Sequence, residues 1–433
     1  MTTTTLPRVE RLLHRGPGGP TDHGLSGHLG LHGPLVVPTR HDPVWSDSLL
    51  AEVAAAGLTG RGGGGFPAAA KWDALRRAGR RPVVVVNAME GEPASAKDRV
   101  LLTYAPHLML DGAEVAAAVI GAGEVVVCIA DDNHGAAASV ETALAERFRS
   151  MRSRRRITIE RPPARYVAGE ESALVNWIDT RRSLPSLRID KSVPLTVGRR
   201  PVLVHNAETL SQLALIARHG PDWFRTAGTS DAPGTTLVTV SGAVRHPGVV
   251  EVELGTPVQD ILARTGSDAG LAAVLVGGYG GAWLGPDQLM TPYAPGSLAA
   301  AGATHGVGIL IALPTVSCGI AETARIARYM AGQSAGQCGP CVYGLPAIAD
   351  DLELLGAGRA DRGLPDRLTR RLGEVDGRGA CRHPDGVVRL VRSALTVFAD
   401  DARAHAAGHV CRGHAAATVL ALPLRRPTPV RPS

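Results

Sequence analysis

The stretch PVVVVNAMEGEP, residues 82–93, joins a run of valines directly to a turn that carries two glutamates. Four consecutive valines without polar alternation predict a strand at 82–86 that is buried on both faces. A second apolar run, VVVCIA at 125–130, predicts another such strand, and apolar residues at helical spacing predict a helix at about 107–121 between them. Buried strands that alternate with helices form a parallel sheet, so this part of the chain indicates an α/β domain.

A glycine-rich segment, GRGGGGFPAAAKW at 60–72, precedes the first strand. Its five glycines allow the backbone to approach a ligand closely and to turn amide groups towards it. Lys71 adds a positive charge, so the segment suits a phosphate group or the edge of a flavin ring. Many glycine-rich loops are simply turns, however, and this one alone does not identify a binding site.

Three further turns carry acidic or amide side chains. They are NAMEGEP at 87–93, YVAGEESAL at 166–174 and HNAETL at 205–210. The first follows a strand directly, and α/β sheets bind ligands at the carboxyl ends of their strands. Glu90 and Glu92 can accept hydrogen bonds from ribose or ribityl hydroxyls, although two solvated carboxylates in a loop are the plain alternative. The second turn places Glu170 beside Glu171.

Changes of composition and periodicity divide the chain into five segments. We expect an irregular N-terminal arm at 1–48, an α/β domain at 49–232, a small β-rich domain at 233–314, a helical domain at 315–415 and a disordered tail at 416–433. Short alternating strands at 237–242 and 249–254, joined through HPG, indicate the β-rich domain. Val387, Val391 and Leu395 recur at helical spacing and predict one buried face in the helical domain.

Composition argues against several classes of function. A chain of 433 residues exceeds one ordinary core and predicts several domains. The net charge of +6 is small for this length and aromatic residues are only 3% of the chain, which argues against nucleic acid as a partner. No apolar run is long enough to predict a transmembrane segment. The N-terminal sequence lacks the apolar stretch of a secretory signal, so we expect a cytoplasmic location.

In order and spacing, the glycine-rich segment and the three turns resemble the flavin- and NADH-binding subunit of respiratory complex I, the family of NADH-quinone oxidoreductase F subunits. The same module occurs in NAD-reducing hydrogenases and formate dehydrogenases. The resemblance extends over about residues 50–415. It implies an α/β FMN- and NADH-binding domain, a small β-grasp domain (ubiquitin-like and SLBB-like), and a C-terminal helical bundle that binds an iron–sulfur cluster.

The resemblance also implies a set of cofactor-binding residues. Those expected to face FMN are Gly60, Gly62, Gly63, Lys71, Asn87, Glu90, Tyr166, Gly169, Glu170, Asn206 and Thr209. Those expected to face NADH are Phe66, Glu92 and Glu171. No side chain is needed as a general acid or base, because the cofactor carries the chemistry. Met89, His205 and Ala74 depart from the family, which has Asp, Asn and Phe there. Arg188 and Lys191 stand where the family has a Lys and a Phe, so two aromatic surfaces that would stack on the dinucleotide are missing. A lost aromatic stack costs on the order of 1 kcal/mol, so we expect weakened NADH binding.

The cysteines point to a metal site. Six cysteines in a chain expected to be cytoplasmic are ligands or core residues rather than a disulfide framework. Cys338 and Cys341 form a C-x2-C pair, and Cys381 follows forty residues later. Three interpretations of these residues stay open: an iron–sulfur cluster, buried cysteines that bind nothing, and zinc held by the three thiolates and a histidine such as His383. Cys128 lies within a predicted strand and is expected in the core.

The resemblance narrows the first of these interpretations. The family holds a four-iron (4Fe-4S) cluster with four cysteines, and Cys338, Cys341 and Cys381 match three of them. The remaining position is Ala335. Three cysteines can hold a cube with one open corner, so a three-iron (3Fe-4S) form is the other expectation. Cys318 and Cys411 are candidate replacement ligands.

The implied function is oxidation of NADH through FMN, with electrons passing to the cluster and on to a partner. That partner would be an electron-acceptor protein or a small iron–sulfur subunit, and any association with a membrane would come through partner subunits. One alternative is a non-catalytic or electron-relay homologue that keeps the fold but has lost NADH binding. The residues that favour it are Ala335, Met89, Ala74 and Lys191. Another is a flavoprotein that takes electrons from a protein donor such as a ferredoxin.

Overall fold

The first domain is built on a sheet whose central strand is the valine run. The computed structural model describes residues 10–13, 23–38, 41–76, 80–150, 155–188, 193–267, 270–420 and 422. The strands are β1 (Val83–Ala88), β2 (Glu124–Ile129), β3 (Arg156–Glu160), β4 (Thr196–Val197) and β5 (Arg200–Asn206). They lie in the order β3-β2-β1-β5-β4, and every pair is parallel except β4 with β5. The predicted parallel sheet is therefore confirmed, with one antiparallel edge strand.

Helices cover both faces of this sheet. They are α1 (Leu25–His32), α2 (Pro43–Ala56), α3 (Ala68–Arg76), α4 (Lys97–Tyr104), α5 (Pro106–Val119), α6 (His134–Ser150), α7 (Glu171–Thr180) and α8 (Ala207–Arg225, kinked at Gly220). Val84 and Val86 pack in one core with α5 and α8, while Val83 and Val85 pack in another core with α7. Because alternate valines enter different cores, β1 is buried on both faces, as the unbroken valine run predicts.

A second, mixed sheet forms the next domain. Its strands are β6 (Thr235–Gly242), β7 (Gly248–Glu253), β8 (Leu271–Val276), β9 (Ala282–Leu284) and β10 (Ile309–Pro314), in the order β7-β6-β10-β8-β9. Two short helices, α9 (Val258–Arg264) and α10 (Pro295–Ala300), accompany them. Leu310 packs with α9 on one face, whereas Ile309 and Ile311 pack against the C-terminal helices on the other. This sheet therefore lies between α9 and the third domain.

The third domain is helical. Its helices are α11 (Gly319–Gly332), α12 (Leu345–Gly356), α13 (Leu364–Val375), α14 (His383–Val397) and α15 (Ala399–Ala406), with a single π-helical turn at Pro340–Gly344. Val387 and Val391 of α14 are fully buried and Leu395 is partly buried in the same core, which confirms the predicted apolar face. Among the described residues, no helix combines the length and apolar character needed to cross a membrane.

The expectation of an irregular arm at 1–48 is wrong where two helices occupy part of it. Helix α1 lies within it and α2 begins at Pro43, where Asp42 Oδ1 accepts the N–H groups of Val44 and Trp45 at 3.0 and 3.1 Å. An aspartate followed by a proline is a favourable helix start, and this local signal explains the early beginning of α2. Residues 1–9, 14–22 and 39–40 of the arm lie outside the described residues.

The expectation of a disordered tail at 416–433 is also wrong where the tail is described. Leu420 is buried, and the backbone N–H of Val419 donates to Glu322 Oε1 of α11 at 2.8 Å. An apolar residue that finds a site on the helical domain holds this part of the tail in place. Residues 421 and 423–433 lie outside the described residues.

Candidate functional site

A cavity of about 290 Å³ lies where the three domains meet. Nine of the predicted cofactor-binding residues line it: Gly62, Gly63, Asn87, Glu90, Glu92, Tyr166, Gly169, Glu170 and Asn206. The thiol-bearing Cys381 of the third domain lines it as well. Its size is close to the lower end of small-molecule pockets, and its glycines leave backbone amides accessible. The structure thus brings together residues that are up to about three hundred positions apart in the chain.

The glycine-rich segment is held in shape by hydrogen bonds at its base. The N–H of Gly60 donates to the Phe66 carbonyl at 2.9 Å, and the N–H of Arg61 donates to Thr209 Oγ1 at 2.9 Å. Gly63, at the tip, has φ of +100° and faces Gly306 and Val307 across the cavity. Gly60 and Thr209 themselves are not among the residues that line the cavity. They support the backbone that lines it.

Asn87 and Asn206 lie side by side because β1 and β5 pair in parallel with these two residues in register. Asn87 Nδ2 donates to the Gly169 carbonyl at 2.8 Å. Asn206 Nδ2 donates to Asp98 Oδ2 at 2.7 Å, and its Oδ1 accepts from Lys97 Nζ at 3.0 Å. The pairing of β1 with β5 therefore brings these two amides together at the carboxyl ends of the two strands.

Lys97 is a buried cation beside this cavity that sequence reasoning missed. Its side chain is 2% exposed, and Nζ forms ion pairs with Asp98 at 2.8 Å and Glu208 at 3.0 Å. Burial lowers the pKa of Lys97, but the two carboxylates raise it by more, so the net pKa lies above its ordinary value. Lys97 is therefore charged at neutral pH. The sequence indicates its place only by its position shortly after the acidic turn, in EPASAKDR.

Two of the predicted acceptor carboxylates are helix caps. Glu90 accepts the backbone N–H groups of Asp98 at 2.9 Å and Arg99 at 3.0 Å, at the start of α4. Glu170 Oε2 accepts the N–H groups of Ser172 at 2.9 Å and Ala173 at 3.0 Å, at the start of α7. Both carboxylates line the cavity, but these oxygens are already committed to the backbone. Their first effect is to fix where the two helices begin.

Glu92 is the predicted acceptor with spare capacity. It is 6% exposed, and its Oε2 accepts the N–H of Tyr279 at 3.1 Å. Its Oε1 is buried and makes no hydrogen bond of standard geometry among the described residues, although the Tyr166 side chain lies close enough to interact with the carboxyl group. Burial raises the pKa of Glu92 to about 7. An unsatisfied buried oxygen on the wall of a cavity is a candidate acceptor for a ligand hydroxyl.

We expect Glu92→Gln to stabilise the flavin-free protein above pH 7. The stabilising contribution of neutral Glu92 is fully present below its unfolded pKa of 4.5 and is lost as the pH rises through about 7. Glutamine stays neutral, so the variant should exceed the wild type by about 2–3 kcal/mol at pH 8 and equal it at pH 4.5. Urea unfolding at both pH values measures this. Equal stabilities of variant and wild type at pH 8 would contradict the prediction. Burial also raises the pKa of Glu251 to about 7, but Glu251 is present in both proteins and does not affect the difference between their stabilities.

Phe66, Lys71 and Glu171 do not line the cavity. Lys71 Nζ lies 3.0 Å from Glu171 Oε1, and Phe66 is 52% exposed. The opposite charges of Lys71 and Glu171 pair with each other at the partly exposed start of α7, which draws the lysine away from the glycine tip. The expectation that Lys71 faces the flavin site is therefore not met by this arrangement, and the pair lies outside the glycine-lined space.

The second and third domains supply residues that sequence reasoning missed. The loop GGYGG at 277–281 contributes Gly277 and Gly280, and α14 with the residues before it contributes Arg382, His383, Gly386 and Arg389. Arg389 Nε donates to the Gly280 carbonyl at 3.1 Å and joins the two elements. The glycine run was the visible signal, because four glycines in five residues indicate a close approach of backbone to a neighbour. Nothing in the local sequence marks the α14 residues.

The predicted metal-binding cysteines lie at the edge of this cavity. The N–H of Cys341 donates to the Cys338 carbonyl at 3.0 Å, in the turn that opens the π-helical segment. Burial raises the pKa of Cys341, and the nearby thiols of Cys338 and Cys381 raise it further. All six cysteines are free thiols, and Cys128 is fully buried in the sheet core as predicted.

Cys318 and Cys411 form a separate group. They lie with His405, and the three ligand atoms are all within 4.8 Å of one another. Burial, and then Cys411, raise the pKa of Cys318, whereas Cys341 responds to Cys338 and Cys381. The structure therefore does not place Cys318 or Cys411 with the first three cysteines, as replacement of the missing ligand would require. Ala335 is half-buried and supplies no ligand atom.

Comparison with known proteins matches all three domains. Residues 53–215 match the Nuo51 FMN-binding domain, residues 237–266 match the SLBB domain, and residues 321–405 match the NADH-ubiquinone oxidoreductase-F iron-sulfur binding region. The chain is 28% identical to the F 2 subunit of the NADH-quinone oxidoreductase of Rhizobium meliloti, over 85% of this chain and 91% of the relative. It is 29% identical to the F subunit of the Streptomyces coelicolor enzyme of the same name, over 84% of each chain.

A solved structure agrees with these matches. A chain of an NAD+-reducing [NiFe]-hydrogenase, in the H2-reduced state, superposes with a TM-score of 0.79 and 32% sequence identity. The match covers 85% of this chain and spans 64% of the length of the hydrogenase chain. The order of the matched regions along the sequence is the order of the three domains described above. Over most of its length the chain is therefore similar to the F subunits of NADH-quinone oxidoreductases.

Proposed function

We propose that the chain is a flavoprotein that oxidises NADH through FMN and passes electrons to an iron–sulfur cluster. One observation carries the proposal: a single cavity is lined both by residues of the region matched to an FMN-binding domain and by Cys381 of the region matched to an iron–sulfur domain. An electron carrier bound there lies next to a cluster ligand. None of the matches reported above favours the non-catalytic alternative.

The cavity fits FMN by its shape and charge. Gly62 faces Asn206, and a Cβ at Gly62 would come within 3.1 Å of Asn206 Cβ, so a side chain there would crowd the wall of the cavity. Lys97 supplies a buried positive charge, and Asn87 and Asn206 supply amides. When bound, FMN accepts a hydride and releases electrons singly. Gly62, Gly63, Asn87 and Asn206 would hold it. Lys97, whose charge Asp98 and Glu208 already compensate, would orient Asn206 through its hydrogen bond to Oδ1.

NADH would bind on the side of the cavity where Glu92 lies. The spare Oε1 of Glu92 is suited to accept a hydrogen bond from a ribose hydroxyl. Above pH 7, where Glu92 is mostly ionised, its negative charge disfavours the extra phosphate of NADPH. Met89 also lines the cavity, and its Cβ lies 3.3 Å from the Cβ that an alanine at 169 would carry, so it packs against Gly169 in the wall. We therefore propose that NADH is the preferred donor and that its binding is weaker than in relatives with the aromatic residues this chain lacks.

A visible spectrum taken without oxygen tests the proposal. Purified protein, reconstituted with FMN, should lose its flavin absorption on addition of NADH, and more slowly on addition of NADPH. Dithionite, which reduces flavin without a nucleotide site, is the control for a reducible flavin. Bleaching by dithionite but not by NADH would support the homologue that has lost NADH binding. Faster bleaching by NADPH would contradict the role given to Glu92.

We propose that Cys338, Cys341 and Cys381 hold the cluster and that Ala335 leaves one corner open. Ala335→Cys should then convert an oxygen-labile cluster, which appears as a three-iron form, into a stable four-iron form. Ser334→Cys, which adds a thiol one residue away, is the matched control and should leave the three-iron form unchanged. Electron paramagnetic resonance and iron analysis after exposure to air measure the difference. A stable four-iron cluster in the wild type would show that another ligand already fills the corner.

We also propose a β-grasp (ubiquitin-like) topology for the second domain, with boundaries at 233 and 314. The β6–β7 hairpin, helix α9 and the parallel pairing of β10 with β6 support it. We further propose that electrons leave the cluster for an electron-acceptor protein or a small iron–sulfur subunit, since the relatives named above are subunits by name. A cytoplasmic location stays a prediction from the N-terminal sequence.

A further inference from the structure

The second cysteine group, Cys318, His405 and Cys411, joins three distant parts of the third domain. Cys318 is the residue before α11, His405 lies in the last turn of α15, and Cys411 opens the short helical turn Arg412–Ala415. Their ligand atoms lie within 4.8 Å of one another, although the residues span more than ninety positions. None of these residues lines the cavity described above.

His405 is held in the orientation that metal-binding histidines adopt. It is fully buried, and its Nδ1 donates to the carbonyl of Gly356 at 2.9 Å, with Leu355 at 3.2 Å. This assigns the proton to Nδ1 and leaves the Nε2 lone pair facing Cys318 Sγ at 3.8 Å. A backbone carbonyl that fixes the non-ligating nitrogen is the usual outer-shell partner of a metal-bound histidine.

The distances are close to those of a zinc site. Bonds of about 2.3 Å to sulfur and about 2.0 Å to nitrogen, at a tetrahedral angle, put Sγ and Nε2 about 3.6 Å apart and two Sγ atoms about 3.8 Å apart. The Cys318–His405 separation of 3.8 Å is near the first value. Nε2 also accepts the Cys411 N–H at 3.0 Å, so binding requires a small shift of the turn, after which that N–H can donate to a thiolate.

The surroundings supply a fourth donor and a reason for the close approach. His414, three residues after Cys411, is exposed, and its ring centre lies 6.1 Å from that of His405. A Cβ at Gly413 would lie 2.5 Å from the Ser317 carbonyl carbon and 2.6 Å from the Cys318 nitrogen. Glycine at this position therefore lets the Cys411–His414 turn contact the start of α11.

We propose that Cys318, His405 and Cys411, with His414 as fourth ligand, bind one Zn²⁺ ion separate from the iron–sulfur cluster. Two thiolates and two imidazoles form a set that zinc binds tetrahedrally in structural sites. The ion ties the beginning of α11 to the end of α15 and to the segment that follows it. Because these elements flank the helical domain, zinc binding stabilises the fold of that domain.

Elemental analysis of the FMN- and iron-reconstituted protein, with thiols reduced, tests the proposal. We expect one zinc per chain in addition to iron. Cys411→Ser should lose the zinc and keep flavin and iron, whereas Cys338→Ser, the matched control in the other group, should lose iron and keep zinc. Zinc-edge X-ray absorption of the wild type should show two sulfur and two nitrogen ligands.

The results that would overturn the proposal are distinct from those expected. Wild-type protein that retains no zinc after equilibration with one equivalent of Zn²⁺ overturns it, and so does a Cys318–Cys411 disulfide found by mass spectrometry in protein prepared under reducing conditions. Zinc retained by Cys411→Ser also overturns it. Should that variant fail to bind flavin, the zinc-edge X-ray absorption spectrum of the wild type decides. Zinc ligands that are mainly oxygen atoms would rule out these cysteines and histidines.

Discussion

Gly63→Val is expected to weaken FMN binding by about a hundredfold. Gly63 has φ of +100°, a conformation that residues with a Cβ rarely adopt, and a β-branched residue there costs about 1–3 kcal/mol in strain. The new side chain would also project towards Val307, whose Cγ1 would lie 3.5 Å from its Cβ, and would narrow the cavity. A hundredfold loss corresponds to about 2.7 kcal/mol. Titration of the flavin-free protein with FMN, followed by flavin fluorescence, measures the change.

Gly64→Ala is the matched control for this prediction. Gly64 is exposed, lies one residue further along the same loop, and a Cβ there would have no heavy atom within 4 Å. It should bind FMN as the wild type does. If Gly63→Val binds FMN as tightly as Gly64→Ala, the glycine tip is not in contact with the flavin. Thermal unfolding of both variants without FMN separates a lost binding site from a destabilised fold.

The parts of the fold that sequence predicted correctly depend on local patterns. The valine run gives β1 its burial on both faces without help from distant residues, and apolar spacing within about fifteen residues marks α5. The turn after β1 lines the cavity, as expected for a turn at the carboxyl end of a parallel strand. Asn87 and Asn206 then meet because β1 and β5 pair in register.

The parts that sequence did not predict depend on tertiary contacts. Arg389 reaches the cavity only because α14 packs across the second sheet, and its position carries no local signal for that contact. Glu90 and Glu170 look like free ligand carboxylates in the sequence, yet both cap helices that begin within a few residues of them. The start of α2 at Pro43 does not depend on tertiary contacts, because the sequence carries a local aspartate–proline signal for it.

A buried ion cluster on the far side of the first domain is another feature that sequence did not predict. Asp111 of α5 lies 2.8 Å from His28 Nε2 of α1 and 2.5 Å from Arg147 Nη2 of α6, and it also pairs with Arg218 of α8. All four side chains are at most 7% exposed. One carboxylate therefore joins four helices and pairs with two buried guanidinium groups, and Arg147 also lies 3.6 Å from Glu114 Oε1.

Asp111→Ala is expected to lower the free energy of unfolding by about 3–5 kcal/mol. Removing one member of a buried pair leaves the remaining charges without compensation, and here two arginines are affected. Burial raises the pKa of Asp111, but the hydrogen bond from His28 and the charges of Arg147 and Arg218 lower it by more, so its net pKa lies below the ordinary value. Urea unfolding at pH 7, followed by circular dichroism, measures the difference between variant and wild type.

The pH dependence and a surface control make the Asp111 prediction specific. A carboxylate with a lowered pKa contributes stability that is present above its unfolded pKa of 3.8 and is lost as the pH falls towards its folded value. The gap between wild type and Asp111→Ala should therefore be full at pH 7 and shrink below about pH 4. Asp47→Ala removes a 64% exposed partner of Arg76 and should cost less than about 1 kcal/mol. Equal losses for Asp111→Ala and Asp47→Ala at pH 7 would show that the buried cluster does not stabilise the helices it connects.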